Sequence, residues 1–173
     1  MSIAAEYTAI ERLRDGRQIT IRSLRPDDQE ELLSAVGRVS AQSLYRRFFA
    51  VKRAFSDDEV KFFLRVDFTN HVALIAITEE RGRECIVGGG RYIVVQPGTA
   101  ELAFTVEDGH QGRGIGGVLL RHLVTLARQG GLKQLIAEVL PDNIPMQRVF
   151  ERSGVRFDKE WRDGSIHISV PLV

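Results

Sequence analysis

Within EDGHQGRGIGGVLL, residues 107–120, four glycines stand in six positions and an apolar helical pattern follows at once. Upstream, AELAFTV (residues 100–106) alternates like a strand. Downstream, Ile115, Val118, Leu119, His122, Leu123 and Leu126 recur at helical spacing from about residue 114 to 128. A strand must therefore become a helix through a nearly bare backbone. A helix start exposes unpaired N–H groups and carries partial positive charge. Glycines permit the turn and let an anion approach that backbone. Gly112, Gly114, Gly116 and Gly117 thus suit an anion, foremost a diphosphate, with Arg113 as an adjacent cation. A flexible turn with no ligand is the plainer alternative.

The rest of the chain predicts what surrounds this loop. Residues 7–13 and 18–24 read as strands joined at Asp15-Gly16, a hairpin signal. Pro26 opens a helix with Asp27, Asp28, Glu30 and Glu31 near its positive end and Leu32, Leu33 and Val36 on its apolar face. SLYRRFF (43–49) reads as a short helix, and Ser56 with Glu59 forms a capping box before another. HVALIAIT (71–78) and CIVGGGRYIVVQ (85–96) are strands around the loop ERGRE, and Pro97-Gly98 marks the next turn. After the glycine-loop helix, ended by Gly130-Gly131, come a strand at 134–140 and a helix at 144–152 stopped by Gly154. Two strands around Asp163-Gly164 close the chain. This order predicts an α/β (α+β) fold: one mixed, mostly antiparallel sheet flanked by helices, in a single domain over 1–173.

Composition narrows the function classes. The formal charge is +1, which gives no strong pull towards nucleic acid or an anionic membrane. No apolar run approaches the roughly 18 residues of a spanning helix, and the cytoplasm is the expected compartment. Cys85 is the only cysteine, so a cysteine cluster is excluded. His71, His110, His122 and His167 are not spaced as metal ligands, and no metal is expected.

Three diphosphate loops compete. A Walker loop needs Gly-Lys-Ser/Thr, but Gly114 is followed by Ile115. Gly112-x-Gly114-x-x-Gly117 fits the dinucleotide fingerprint, with Glu138 about 20 residues on. Against it, VEDGHQ separates strand from glycine, and too little chain follows for a doubly wound sheet. The third is QGRGIG (111–116), which resembles the Q/R-x-x-G-x-G/A motif of the GCN5-related N-acetyltransferase (GNAT) family. DNIPMQRVFERSG (142–154) is similar to that family's later segment. LRDGRQITIRSLRPDD, SLYRRFFAVKRAFSDDEV, VDFTNHVALIA and AELAFTVEDGHQGRGIG together resemble the acetyltransferase domain of Pat-type protein lysine acetyltransferases. Members of that group modify lysines on acyl-CoA synthetases, and many carry a second, regulatory or synthetase-like domain.

The resemblance implies acetyl-CoA as co-substrate. Backbone of Gln111, Gly112, Arg113, Gly114, Ile115, Gly116 and Gly117 would cradle its diphosphate. It also implies that the strand at 102–106 splays from the strand at 134–140. The pantetheine arm would pair there with backbone of Phe104, Thr105 and Val106, and an N–H near Val106 would hold the oxyanion. Asn143 would bond CoA or cap the helix it opens. Arg113 could equally be a solvated charge.

A lysine acceptor has a free pKa near 10.4, so the neutral amine costs about 4–5 kcal/mol at pH 7 and a proton acceptor is needed. Alternation puts Leu102, Phe104 and Val106 on one face and Glu101, Ala103 and Thr105 on the other. Glu101 is thus an acid on an otherwise small face, and the Pat-type resemblance points to it as general base; an exposed strand glutamate is the alternative. Glu107 and Asp108 read as a solvated turn, His110 as a weak candidate for CoA contact, His122 as core-flanking and Cys85 as a buried strand residue. Many family members carry a tyrosine acid on the last helix; the matching position here is Phe150, which donates no proton. Arg46 and Arg47 are candidates for acidic groups around a target lysine, or solvated charges. The expected activity is acetyl transfer to a primary amine, foremost a protein lysine. A small amine, or CoA binding without catalysis, are the rivals. A homodimer is compatible with the sequence.

Overall fold

The computed structural model describes residues 3–28, 30–32 and 66–173. Its strands are β1 (Thr8–Arg12), β2 (Gln18–Ser23), β3 (His71–Glu80), β4 (Arg83–Gln96), β5 (Thr99–Val106), β6 (Gln134–Val139), β7 (Asp158–Arg162) and β8 (Ser165–Pro171). They form one sheet in the order β1-β2-β3-β4-β5-β6-β8-β7. Neighbours are antiparallel except β5 and β6, which run parallel. Helix α1 (Ile115–Gln129) links these two, as a parallel pair requires, and α2 (Ile144–Arg152) follows β6.

The turns are where the residues demand them. Gly16 has φ 88°, and Asp163 and Gly164 have φ 49° and 80°, the left-handed pair of a tight hairpin. The β3–β4 turn is tighter than the expected ERGRE loop. Arg81 and Gly82 alone turn the chain, and the flanking residues extend the strands.

The face of the sheet that carries α1 holds the main core. The expected helix stripe is buried except for His122, and Leu120, Val124 and Ala127 are buried too. His122 is half-buried, bonded to Tyr7 Oη and, at 2.8 Å, to Glu11 Oε1, so it fastens α1 to the first hairpin. Gly90 makes room beneath α1: a Cβ there would lie 2.9 Å from Phe104 Cδ1 and 3.0 Å from Leu123 Cδ1. The opposite face holds a smaller cluster of Leu24, Ala73, Ile75, Ile77 and Ile86, with Leu32 and Val66 against it.

Pro26 does not open an α-helix directly. Pro26–Asp28 is a 3-10 turn, with helical backbone at residues 30–32. Asp28 is buried and ion-paired, not a helix-end charge. It accepts from Arg22 Nη1 at 2.9 Å, Arg22 Nη2 at 2.7 Å and the Arg25 N–H at 2.6 Å. Burial pushes its pKa up, but these bonds and the two arginine charges outweigh burial and hold it below the usual value. The short helix expected at 43–49, the Ser56–Glu59 box, and Arg46 and Arg47 lie outside the described residues. Among the described residues, no helix is long and apolar enough to cross a membrane.

Candidate active site

The parallel pairing of β5 with β6 lasts three residues: Thr99↔Gln134, Ala100↔Leu135 and Glu101↔Ile136. Beyond Glu101 the strands part, as the resemblance implied. On its other side β5 stays paired with β4 up to Gly88↔Val106. The Glu107 N–H donates to Val87 O at 2.8 Å. By ladder alternation, Thr105 and Ala103 therefore bond towards β4, while Phe104 and Val106, past the last paired residue, turn N–H and C=O into the opening. The Val106 carbonyl accepts from Gln111 Nε2 at 3.0 Å. Its N–H faces the gap. Thr105, by contrast, spends its backbone on β4 and offers the opening none.

Glu101 stands at the apex. It is exposed, among buried Ala100 and Leu102, on the face away from α1. The alternation read from the sequence is the one observed.

The glycine loop lies at the far end of β5. Gly112 and Gly114 have φ 78° and 90°, with open space where a Cβ would project. Gly114 is the N-cap of α1 and supplies no side-chain cap. Val118 is the first N–H to bond back into the helix, to Gly114 O at 3.1 Å. The N–H groups of Ile115, Gly116 and Gly117 thus lie at an uncapped helix start. Arg113 Nη1 is buried with no hydrogen-bond partner among the described residues. A buried guanidinium nitrogen left unpaired costs free energy, which a diphosphate oxygen would recover. Gly116 has a second role the motif did not reveal: a Cβ would fall 2.7 Å from Val149 Cγ2, so it also lets α1 touch α2.

Three neighbours differ from their expected places. Glu107 is not a solvated turn residue; its side chain is 14% exposed and bonds His110 Nδ1 at 2.9 Å. The other ring nitrogen of His110 lies 2.9 Å from Glu80 Oε1, so this buried ring braces the loop against the end of β3. Cys85 is half-buried. Asn143 is the N-cap of α2, its Oδ1 accepting from the Met146 N–H at 3.2 Å. Its cap function is therefore real, and any bond to a ligand falls to Nδ2. Phe150 is fully buried, edge-on to Phe104 with centroids 6.3 Å apart. Among the described residues, no group of His, Cys, Asp and Glu is placed to hold a metal ion.

A sheet opened at one parallel seam, with an uncapped glycine loop at its end, presents unpaired backbone donors and a free strand edge at one place. Residues 38–155 match the acetyltransferase (GNAT) family. The chain is 33% identical to acetyltransferase PA5475 of Pseudomonas aeruginosa over 127 residues, covering 73% of this chain and 68% of that one. It is 30% identical to acetyltransferase Pat of Mycolicibacterium smegmatis over 161 residues, covering 91% of this chain. It spans about half of Pat's length, 47%. The GNAT domain of S. lividans PAT has a TM-score of 0.85 and 35% identity, with 95% of this chain and 96% of that one covered. The chain belongs to the GNAT acetyltransferase family.

Proposed function

We propose that this acetyltransferase moves an acetyl group from acetyl-CoA to a protein lysine, with Glu101 as general base. The observation that carries this reading is the end of β5–β6 pairing at Glu101, which leaves a polar backbone edge and a carboxylate at one opening. The donor supplies an activated thioester and a thiolate leaving group. The uncapped start of α1 and Arg113 bind its diphosphate. Phe104 and Val106 bond the arm through their backbone. The Val106 N–H bonds the carbonyl oxygen and gains strength as that oxygen becomes an oxyanion. Glu101 accepts the amine's proton from the other face, directly or through one water. Phe150 gives no proton, so the thiolate takes its own from solvent.

Similarity to Pat and to S. lividans PAT over nearly the whole chain supports a protein acceptor. Cytoplasmic residence fits that reading. The test is mass spectrometry of a purified acyl-CoA synthetase incubated with this protein and acetyl-CoA, with Glu101→Gln alongside. A lysine acetylated only by the unmodified protein is the expected result. No transfer to protein, with transfer to a small amine such as a polyamine, would replace the acceptor and keep the base.

A further inference from the structure

The amine of the proposed reaction arrives as an ammonium and leaves as an amide, so it gives up two protons. One ends on the CoA thiol and one in solvent. Glu101 is a single carboxylate and holds one proton at a time. Phe150 holds none.

The other wall of the opening carries a second set of proton-handling groups. Glu138 lies on β6 two residues past Ile136, the partner of Glu101, an advance of about 6.6 Å along the strand. Alternation puts Glu101, Ile136 and Glu138 on one face. β8 pairs with β6 through Ile136↔Ser169 and Glu138↔His167, so His167 shares that face. His167 Nδ1 bonds Glu138 Oε1. Ser165 Oγ donates to Glu138 Oε2 at 2.7 Å. These three side chains, with Leu140 and the turn at Arg162, Asp163 and Gly164, line an open groove of about 560 Å³. His167 is only 14% exposed, yet it borders this groove. The charged groups around it are Glu138 from β6, Glu160 from β7, which is His167's cross-strand partner, and Arg162 and Asp163 at the turn. Arg162 is held by Glu160 at 3.1 Å.

A carboxylate at Nδ1 requires the hydrogen there, so the neutral ring keeps its lone pair on Nε2. Free imidazole ionises about two units above a free glutamate carboxyl, closer to an amine's own value. We propose that His167 is a second proton acceptor of the reaction, with Glu138 as its positioning residue and Ser165 holding Glu138. This rests on the reading of Glu101 and the cleft given above. An ammonium proton passes to Nε2, directly or through one water, as the acceptor enters. The freed amine attacks the thioester carbon and the N–C bond forms. Glu101 takes the second proton, the C–S bond breaks, and the thiolate leaves with the electron pair. His167 and Glu101 return their protons to the groove and solvent, from which the thiolate takes one.

The test is steady-state acetylation of the lysine acceptor by His167→Ala, with and without added imidazoles of graded basicity. Turnover should fall about a hundredfold while acetyl-CoA binding by calorimetry is unchanged. Imidazole should restore part of it, and more basic imidazoles more. A rate within about threefold of the unmodified protein overturns the proposal. So does a loss that no imidazole relieves while acetyl-CoA binding persists. Glu138→Gln keeps the side chain's size and should lower kcat about tenfold with KM held; an unchanged kcat removes its positioning role. If the unmodified protein acetylates no amine, the reading of Glu101 falls and this one with it. Turnover lost in Glu101→Gln but kept in His167→Ala removes His167 alone.

Discussion

Glu101 and Ile136 are the last partners of the parallel pair β5–β6, and past them the sheet is open. Both strands continue, to Val106 and Val139, each paired on its outer side. The opening is therefore built into two rigid walls. Buried backbone groups must find partners, and the inward-facing amides of Phe104 and Val106 are the ones this cleft offers to a ligand.

If Glu101 accepts the amine's proton, Glu101→Gln keeps shape and loses basicity. Turnover should fall by a factor of about 10² to 10³, with acetyl-CoA affinity within about twofold of the unmodified protein. Coupled thiol-release kinetics and calorimetry check the two halves. An unchanged rate removes Glu101 from the role.

If Arg113 binds the diphosphate, its unpaired Nη1 is the donor that does so. Arg113→Gln should weaken CoA about tenfold and leave binding of pantetheine, which lacks the diphosphate, unchanged. Equal losses for both ligands would make Arg113 a structural residue of the loop.

Gly116 is predicted to matter for packing as well as for binding. With a Cβ placed 2.7 Å from Val149 Cγ2, Gly116→Ala should cost about 1–3 kcal/mol of stability. Adding Val149→Ala should recover much of that cost, a non-additivity that urea melts of the two single variants and the double would measure.

Asp28 gives a pH dependence with a definite sign. Burial raises its pKa, but the hydrogen bonds from Arg22 and the Arg25 N–H leave it net depressed in the folded state. Its stabilising contribution is therefore complete above the unfolded pKa, near 3.9, and is lost as pH falls through the folded value. Asp28→Asn should cost about 3 kcal/mol at pH 7, and the difference from the unmodified protein should close below about pH 4. A gap that stays constant down to pH 3 or so would show that the charge on Asp28 contributes nothing.

What was legible from residues alone was whatever local chemistry decides. Asn143 and Gly154 bracket α2, and the helix runs over the expected 144–152. Asp15-Gly16, Pro97-Gly98 and Asp163-Gly164 each force a turn, and with the turns placed the hairpin pairs β1–β2, β4–β5 and β7–β8 follow. The alternation around Glu101 needed only the two-residue period. What stayed hidden depends on register between distant strands. Glu138 meets His167 across 29 positions and Glu80 meets His110 across 30. No local pattern announces either pair, though same-face Glu and His on predicted neighbours is the signal that would have suggested the first. Asp28 read as a helix-end charge because Pro26 and two acids imitate a helix start; the arginine that claims it lies on β2. The Gly88–Gly90 run read simply as strand, while at Gly90 the missing side chain makes room for Phe104 and Leu123.

The seam at Glu101 also reverses the usual ranking of slow and fast amides in a sheet. Central strands ordinarily shield their N–H groups from deuterium best, and the outermost strands least. Here Phe104 and Val106, on β5 with four strands to one side and three to the other, turn their amides to water. They should trade hydrogen for deuterium like residues of β1 or β7, while Ala103 and Thr105 beside them stay slow. Occupying the cleft would complete the interrupted ladder with a chain that is not polypeptide, and the alternating fast and slow pattern along β5 would then level out.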